Sequence, residues 1–168
     1  DDYDEFSGTV TIPAYARSVR LDLEVIDDVI IEPTESVSLT LREITSANPG
    51  ITIDNSNDNA TANILDNDDA QISISASDPD AAEPSGNEGE FLVTMDYPSS
   101  SPTTVRYSVS GTALPDKDYT ALTGTFTIPE NTTSLTLDVI VIDDDTLELS
   151  ETVVVTLDAI TTDRKSVV

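Results

Sequence analysis

The stretch Leu135-Thr136-Leu137-Asp138-Val139-Ile140-Val141-Ile142-Asp143-Asp144-Asp145 decides how the chain is read. Leu135, Leu137, Val139 and Val141 alternate with Thr136, Asp138, Ile140 and Ile142, the two-residue period of a β-strand with one face on a core. Three aspartates then end the run. Earlier in the chain, Leu21-Asp22-Leu23-Glu24-Val25-Ile26-Asp27-Asp28 repeats the same alternation and the same acidic stop. Aligned without a gap, residues 2–41 and 118–157 share 19 identities in 40 pairs. Self-similarity of this kind marks a tandem repeat.

Outward from that run, further strands are expected at 71–75, 90–95, 103–110, 124–128 and 152–157, with earlier ones at 8–12, 36–41 and 60–65. Gly, Pro, Asn, Asp and Ser fill the gaps between them, as turns require. No segment carries ten or more residues of helical periodicity. Short strands at this spacing predict an all-β fold, an antiparallel Ig-like Greek-key β-sandwich in tandem. The repeat divides the chain into 1–69, the C-terminal part of a first repeat, and 70–162, a second repeat expected to lack its last strand. Residues 163–168, Asp163-Arg164-Lys165-Ser166-Val167-Val168, hold 2 of the 7 basic residues and read as a non-native tail. With exposed strand edges, 1–69 is expected to be poorly stable alone or to pair between chains.

Composition narrows the function. The 168 residues carry 33 Asp+Glu against 7 Lys+Arg, a net charge of −26. Such a surface repels nucleic acid and anionic lipid and attracts cations. Hydrophobic residues make up 38%, enough for packed sheets rather than a disordered acidic tail. The absence of Cys and His excludes disulfides, thiolate or imidazole zinc sites and Ser-His-Asp or Cys-His catalysis. No apolar stretch approaches the ~18 residues of a membrane span, and the first residues are no signal peptide, so any export would need sequence beyond these residues.

Both repeats place acids at matching positions: Asp2, Asp27, Asp28 and Glu32 in the first, Asp118, Asp143, Asp144 and Glu148 in the second. Asp66-Asn67-Asp68 closes another strand. Two unit charges 4 Å apart repel by roughly 1 kcal/mol in water and about 4 at an effective dielectric of 20. Several carboxylates converging on one pole therefore oppose folding unless a cation sits among them. With oxygen donors only, the fitting ion is hard, and Ca²⁺ accepts six to eight oxygens with flexible geometry. A solvated acidic loop is the competing reading of any one copy; recurrence in register favours the metal. Glu35 and Glu151 recur as well, as strand caps or as groups orienting ligands. Asp54-x-Ser56-x-Asp58 lacks the Gly and Glu of an EF-hand. The sequons at Asn59 and Asn131 read as exposed turns. Glu83/Glu88 or Asp143/Glu148 as a glycosidase pair fails for want of Trp or an aromatic cluster to hold a sugar.

The combination Glu88, Gly111-Thr112-Ala113, Asp118-Tyr119, Gly124-Thr125-Phe126-Thr127-Ile128-Pro129, Val141-Ile142-Asp143-Asp144-Asp145, Glu148 and Glu151, with Ile64-Leu65-Asp66-Asn67-Asp68, resembles the Calx-beta domain over nearly all of 1–160. The resemblance implies an Ig-like sandwich with Ca²⁺ at one end. Its ligands would be an early Glu (Glu88), the Asp of Asp-Tyr (Asp118), the loop acids Asp143, Asp144 and Glu148, and the closing triplet. It implies no enzyme. The leading expectation is a calcium-binding structural or adhesive module of a secreted or cell-surface protein. Its partners would be calcium ions, neighbouring repeats of the same chain and cell-surface protein or glycan ligands, with no nucleic acid and no membrane insertion. The alternative is an intracellular Ca²⁺-sensing regulatory domain of a transporter of the sodium–calcium exchanger type. A general adaptation to high salt is a third reading, which the positional recurrence disfavours.

Overall fold

The structure, a computed structural model, describes residues 2–83, 87–145 and 147–158; the expected tail 163–168 and the end of the second repeat lie outside these. The chain divides into two compact units, Asp1–Asn67 and Asp68–Val168. Among the described residues all regular structure is β, in antiparallel ladders, as the alternation requires.

The second unit is a sandwich of two three-stranded sheets. Numbered along the whole chain, its strands are β3 (Ile72–Asp78), β4 (Gly89–Met95), β5 (Thr103–Gly111), β6 (Thr125–Ile128), β7 (Ser134–Val139) and β8 (Val153–Leu157). One sheet has the order β3-β4-β7 and the other β6-β5-β8. The chain crosses between sheets after β4, returns after β6 and crosses again after β7, a Greek-key path. Val93 and Met95 from the first sheet meet Val105, Tyr107, Phe126, Ile128 and Val155 from the second, and Leu135 and Leu137 pack against them. These are the alternate residues of each strand, so the period of two places them inward. The Tyr107 and Phe126 rings stack at 5.8 Å, while the buried Tyr107 hydroxyl has no hydrogen-bond partner. Outward positions carry hydroxyls that pair across strands, Ser73 with Thr94 at 2.8 Å and Thr104 with Thr127 at 2.9 Å.

The first unit holds one hairpin, β1 (Glu35–Thr40) with β2 (Asn59–Ile64), in register from Glu35–Ile64 to Thr40–Asn59. Of the two strands expected before it, 8–12 forms none, and 19–26 contributes only a bridge from Val25 to Tyr3. The reason lies in pairing. Their repeat counterparts β6 and β7 are strands because they hydrogen-bond to β5 and β4; residues 1–67 contain no equivalents of those two. Without a ladder partner the alternation has nothing to pack on, and Ile12, Val19, Leu21 and Val25 are exposed. Among the described residues of this unit the buried apolar side chain is Ile64.

The repeat thus supplies an internal control. Ile128 is fully buried, whereas its counterpart Ile12 is 57% exposed. Ile128→Ala is expected to cost about 2–5 kcal/mol in urea unfolding, and Ile12→Ala to stay within about 0.5 kcal/mol.

Candidate metal centre

At one pole of the second unit β4 and β8 begin while β5 and β7 end, since Gly89 pairs with Val139 and Gly111 with Val153. Two backbone devices carry acids to this pole. The first is a clamp built on Asp118-Tyr119. Tyr119 is buried and bridges to Val141, while the Ile142 amide donates to the Asp118 carbonyl at 3.0 Å and the Thr120 amide to Ile140 at 2.9 Å. The preceding turn closes on the same residue: the Asp118 amide donates to the Leu114 carbonyl at 3.0 Å, and Asp118 Oδ2 accepts the Leu114 amide at 2.6 Å. Burial, then the charges of Asp116 and Asp118, raise the Tyr119 phenol, which stays neutral in its apolar seat.

The second device fixes Glu151. Gly111 stands at φ 134°, and its lack of a side chain lets the chain pass against the Thr152 carbonyl, which a Cβ would strike. The Thr112 and Ala113 amides donate to that carbonyl at 3.0 and 3.2 Å, and the Thr152 amide returns a bond to Thr112 Oγ1 at 3.0 Å. Glu151 is thereby held beside the Asp118 turn.

The outcome is that Asp118, Glu148 and Glu151 each offer a carboxylate oxygen, all within 4.8 Å of one another. Their mutual influence is visible in protonation. Desolvation raises Glu148 most, followed by the charges of Asp118, Asp144 and Glu83, with Lys117 opposing. Glu151 is raised chiefly by a hydrogen bond with Asp118, then by desolvation and by the charges of Asp118 and Glu148. The oxygens suit a hard ion: donors on opposite sides of Ca²⁺, at about 2.3–2.6 Å each, stand roughly 5 Å apart.

The first unit repeats the arrangement. Tyr3 bridges to Val25, the Ile26 amide donates to the Asp2 carbonyl at 2.8 Å, and the Asp4 amide to Glu24 at 3.0 Å. Glu35 is raised by a hydrogen bond with Asp2 and by its charge; Glu32 is raised by desolvation, then by Asp2, Asp28 and Asp66. Asp66 Oδ2 also accepts the Glu32 amide at 2.9 Å, which brings the closing segment to this pole. Asp28 Oδ1 caps its own turn by accepting the Ile30 amide at 2.7 Å.

Of the acids singled out from sequence, the structure groups Asp118, Asp144 and Glu148 in one unit and Asp2, Asp28, Glu32 and Asp66 in the other. Asp27, Asp143, Glu88 and Asn67 are exposed, and Asp68 begins the second unit. Glu151 stands in the carboxylate cluster itself and Glu35 hydrogen-bonds with Asp2, and their recurrence in register was the available signal. Glu83 falls among the charges acting on Glu148 with no repeat counterpart to point to it.

Two outcomes are expected. Gly111→Ala strains a backbone conformation nearly confined to glycine and is expected to cost about 1–3 kcal/mol or more in chemical unfolding. Glu148 and Glu151 hold protons more tightly folded than unfolded. Their contribution to stability is complete below the ordinary value of 4.5 and is lost as pH rises through the raised folded values. In a metal chelator, Glu151→Gln is therefore expected to melt above the parent chain at neutral pH, and the difference to vanish below pH 4.5.

Comparison with known proteins finds the same family in both units. The Calx-beta domain family matches residues 1–68 and again 67–168. No curated protein and no solved structure matches the chain. A β-sandwich fold, two copies of one clamp and a match spanning both units leave one assignment, and the chain belongs to the Calx-beta domain family.

Proposed function

We propose that the chain is a calcium-binding structural and adhesive repeat segment of a large secreted or cell-surface protein, in which Ca²⁺ stiffens the array. Calx-beta domains are non-catalytic binding and regulatory modules, and Ca²⁺ is their ion. The observation that carries the reading is duplication of the acids together with the backbone that aims them. Asp118, Glu148 and Glu151 recur as Asp2, Glu32 and Glu35, and both aspartates hang from the same tyrosine clamp. In the second unit Asp118, Glu148 and Glu151, with Asp144 near, would hold the ion; in the first Asp2, Glu32, Glu35 and Asp66 would. The ion supplies positive charge where carboxylates repel, so its role is cohesion.

Tandem repetition across the short acidic link 66–69 supports a structural role over a catalytic one. Neighbouring repeats of the same chain are then the first partners, and cell-surface protein or glycan ligands the next. The division into a partial first repeat, 1–69, and a second, 70–162, belongs to this proposal.

Extracellular modules bind Ca²⁺ at about 10⁻⁴–10⁻³ M and intracellular sensors at about 10⁻⁷–10⁻⁵ M. Titration followed by calorimetry or melting is expected to give the weaker range. Saturation at the tighter one would favour a regulatory domain of the sodium–calcium exchanger type. At 100 times the dissociation constant, calcium is expected to add about 2.7 kcal/mol of stability. Asp118→Asn is expected to remove most of the second unit's share. A melting midpoint identical in chelator and in millimolar calcium, with sodium chloride matched, would overturn the reading.

A further inference from the structure

We infer that the second unit carries a docking pocket for a basic partner protein, which inserts one apolar side chain beside Tyr119 and sets a cationic neighbour against Asp116. The inference names a partner for the adhesive reading and does not depend on the ion.

The pocket is a cavity of about 390 Å³ where β5 ends and the chain turns through 113–122. That size lies in the range of roughly 300–1,000 Å³ found for ligand sites. Its floor is apolar, since Val109 and Leu122 pack against the core and Tyr119 is buried. The alternation of β5 supplies Val109, the next inward residue after Val105 and Tyr107. Leu114 and Pro115 line it from the turn, with Leu114 52% exposed.

These walls are fixed without a partner. Leu114–Lys117 closes as a tight turn, the Lys117 amide donating to the Leu114 carbonyl at 3.2 Å. Asp116 stands in it at φ 62°, a left-handed conformation that in a residue other than glycine persists where its surroundings enforce it, often at ligand sites. Here the enforcement is visible. The Asp116 amide donates to the Tyr119 carbonyl at 2.8 Å, and Asp116 Oδ1 accepts the Ala121 amide at 3.2 Å. Ala121 also lines the cavity, so that bond holds a carboxylate at its rim. A partner meeting such walls is spared the cost of ordering them.

Chemistry narrows the occupant. A chain of net charge −26 draws cations and repels anionic lipid and nucleic acid. On the turn itself Lys117 faces two acids, Asp116 and Asp118. A bare metal ion gains nothing from an apolar floor. A sugar stacks on aromatic faces, and the lining offers one, Tyr119. A protein segment with an aliphatic side chain flanked by Arg or Lys satisfies floor and rim together, the apolar contact giving affinity and the charges steering the encounter.

The test follows amide resonances of the full chain in millimolar calcium. The peptide Arg-Leu-Arg with blocked ends is expected to move those of Leu114, Ala121 and Leu122 saturably, and blocked Glu-Leu-Glu to leave them in place. Leu114→Ala trims an exposed side chain and keeps the backbone bonds of the turn; it is expected to weaken binding about tenfold. Asp116→Asn, which tolerates the left-handed turn, is expected to weaken it about two- to fivefold. Ala121→Trp fills the cavity from an exposed position and is expected to abolish the shifts, which a general attraction to the acidic surface would not. Resonances that stay still, an equal response to Glu-Leu-Glu, or full binding by Leu114→Ala or Ala121→Trp overturns the pocket. A chain that ignores the peptide yet melts higher in calcium loses the pocket alone. One that binds the peptide with a midpoint indifferent to calcium keeps the pocket and loses the ion.

Discussion

Repulsion among carboxylates at one pole is the constraint on which the rest of the architecture depends. A β-sandwich brings strand ends together whatever their sequence, and here those ends carry acids. Asp118, Glu148 and Glu151 come from two separate loops, yet their oxygens lie within 4.8 Å. Left alone they would splay, because exposed side chains move freely and like charges separate. The chain resists this through the main chain: the Tyr119–Val141 bridge on one side and the bonds between Thr112 and Thr152 on the other. Desolvation at Glu148 and the hydrogen bond with Asp118 at Glu151, with the neighbouring charges behind them, raise both carboxyls. The hydrophobic core serves the same end, since Tyr119 is both a core residue and the neighbour of the acid it positions.

The two units show how far one sequence pattern can be expressed in different settings. In the second, Phe126, Ile128, Leu135 and Leu137 have facing strands and form a packed interior. In the first, Val10, Ile12, Val19 and Leu21 follow the same alternation and are exposed. Local propensity is equal in both, so the difference is tertiary. A strand is stabilised by the partner that accepts its hydrogen bonds and the face that covers its side chains. The polar clamp survives in both units because it closes on residues within each.

Strand positions and the sandwich were legible from period-two runs broken by Gly, Pro and Asp, and the ends of the strands that formed shifted by one to three residues, as at 36–41 against Glu35–Thr40 and 71–75 against Ile72–Asp78. The acids Asp118, Asp144 and Glu148 were legible from recurrence. What could not be read was which of the adjacent aspartates bears on Glu148. Asp143 and Asp144 are equivalent in composition, and it is the charge of Asp144 that raises Glu148. Glu83 was read only as half of a carboxylate pair for sugar chemistry, and no counterpart among residues 1–67 pointed to its charge acting on Glu148. The failed strands at 8–12 and 19–26 reflect the same limit, for alternation reports a readiness to pair and not the presence of a partner.

The clamp around each aspartate has an evolutionary corollary. Its bonds run between amides and carbonyls, so they are indifferent to the side chains attached. Asp4 to Glu24 in one unit and Thr120 to Ile140 in the other share no residue type, yet the bond is the same. Mutations can therefore accumulate around the tyrosine without moving the carboxylate. That freedom lets duplicated domains diverge in surface chemistry while inheriting an unchanged scaffold for the carboxylates.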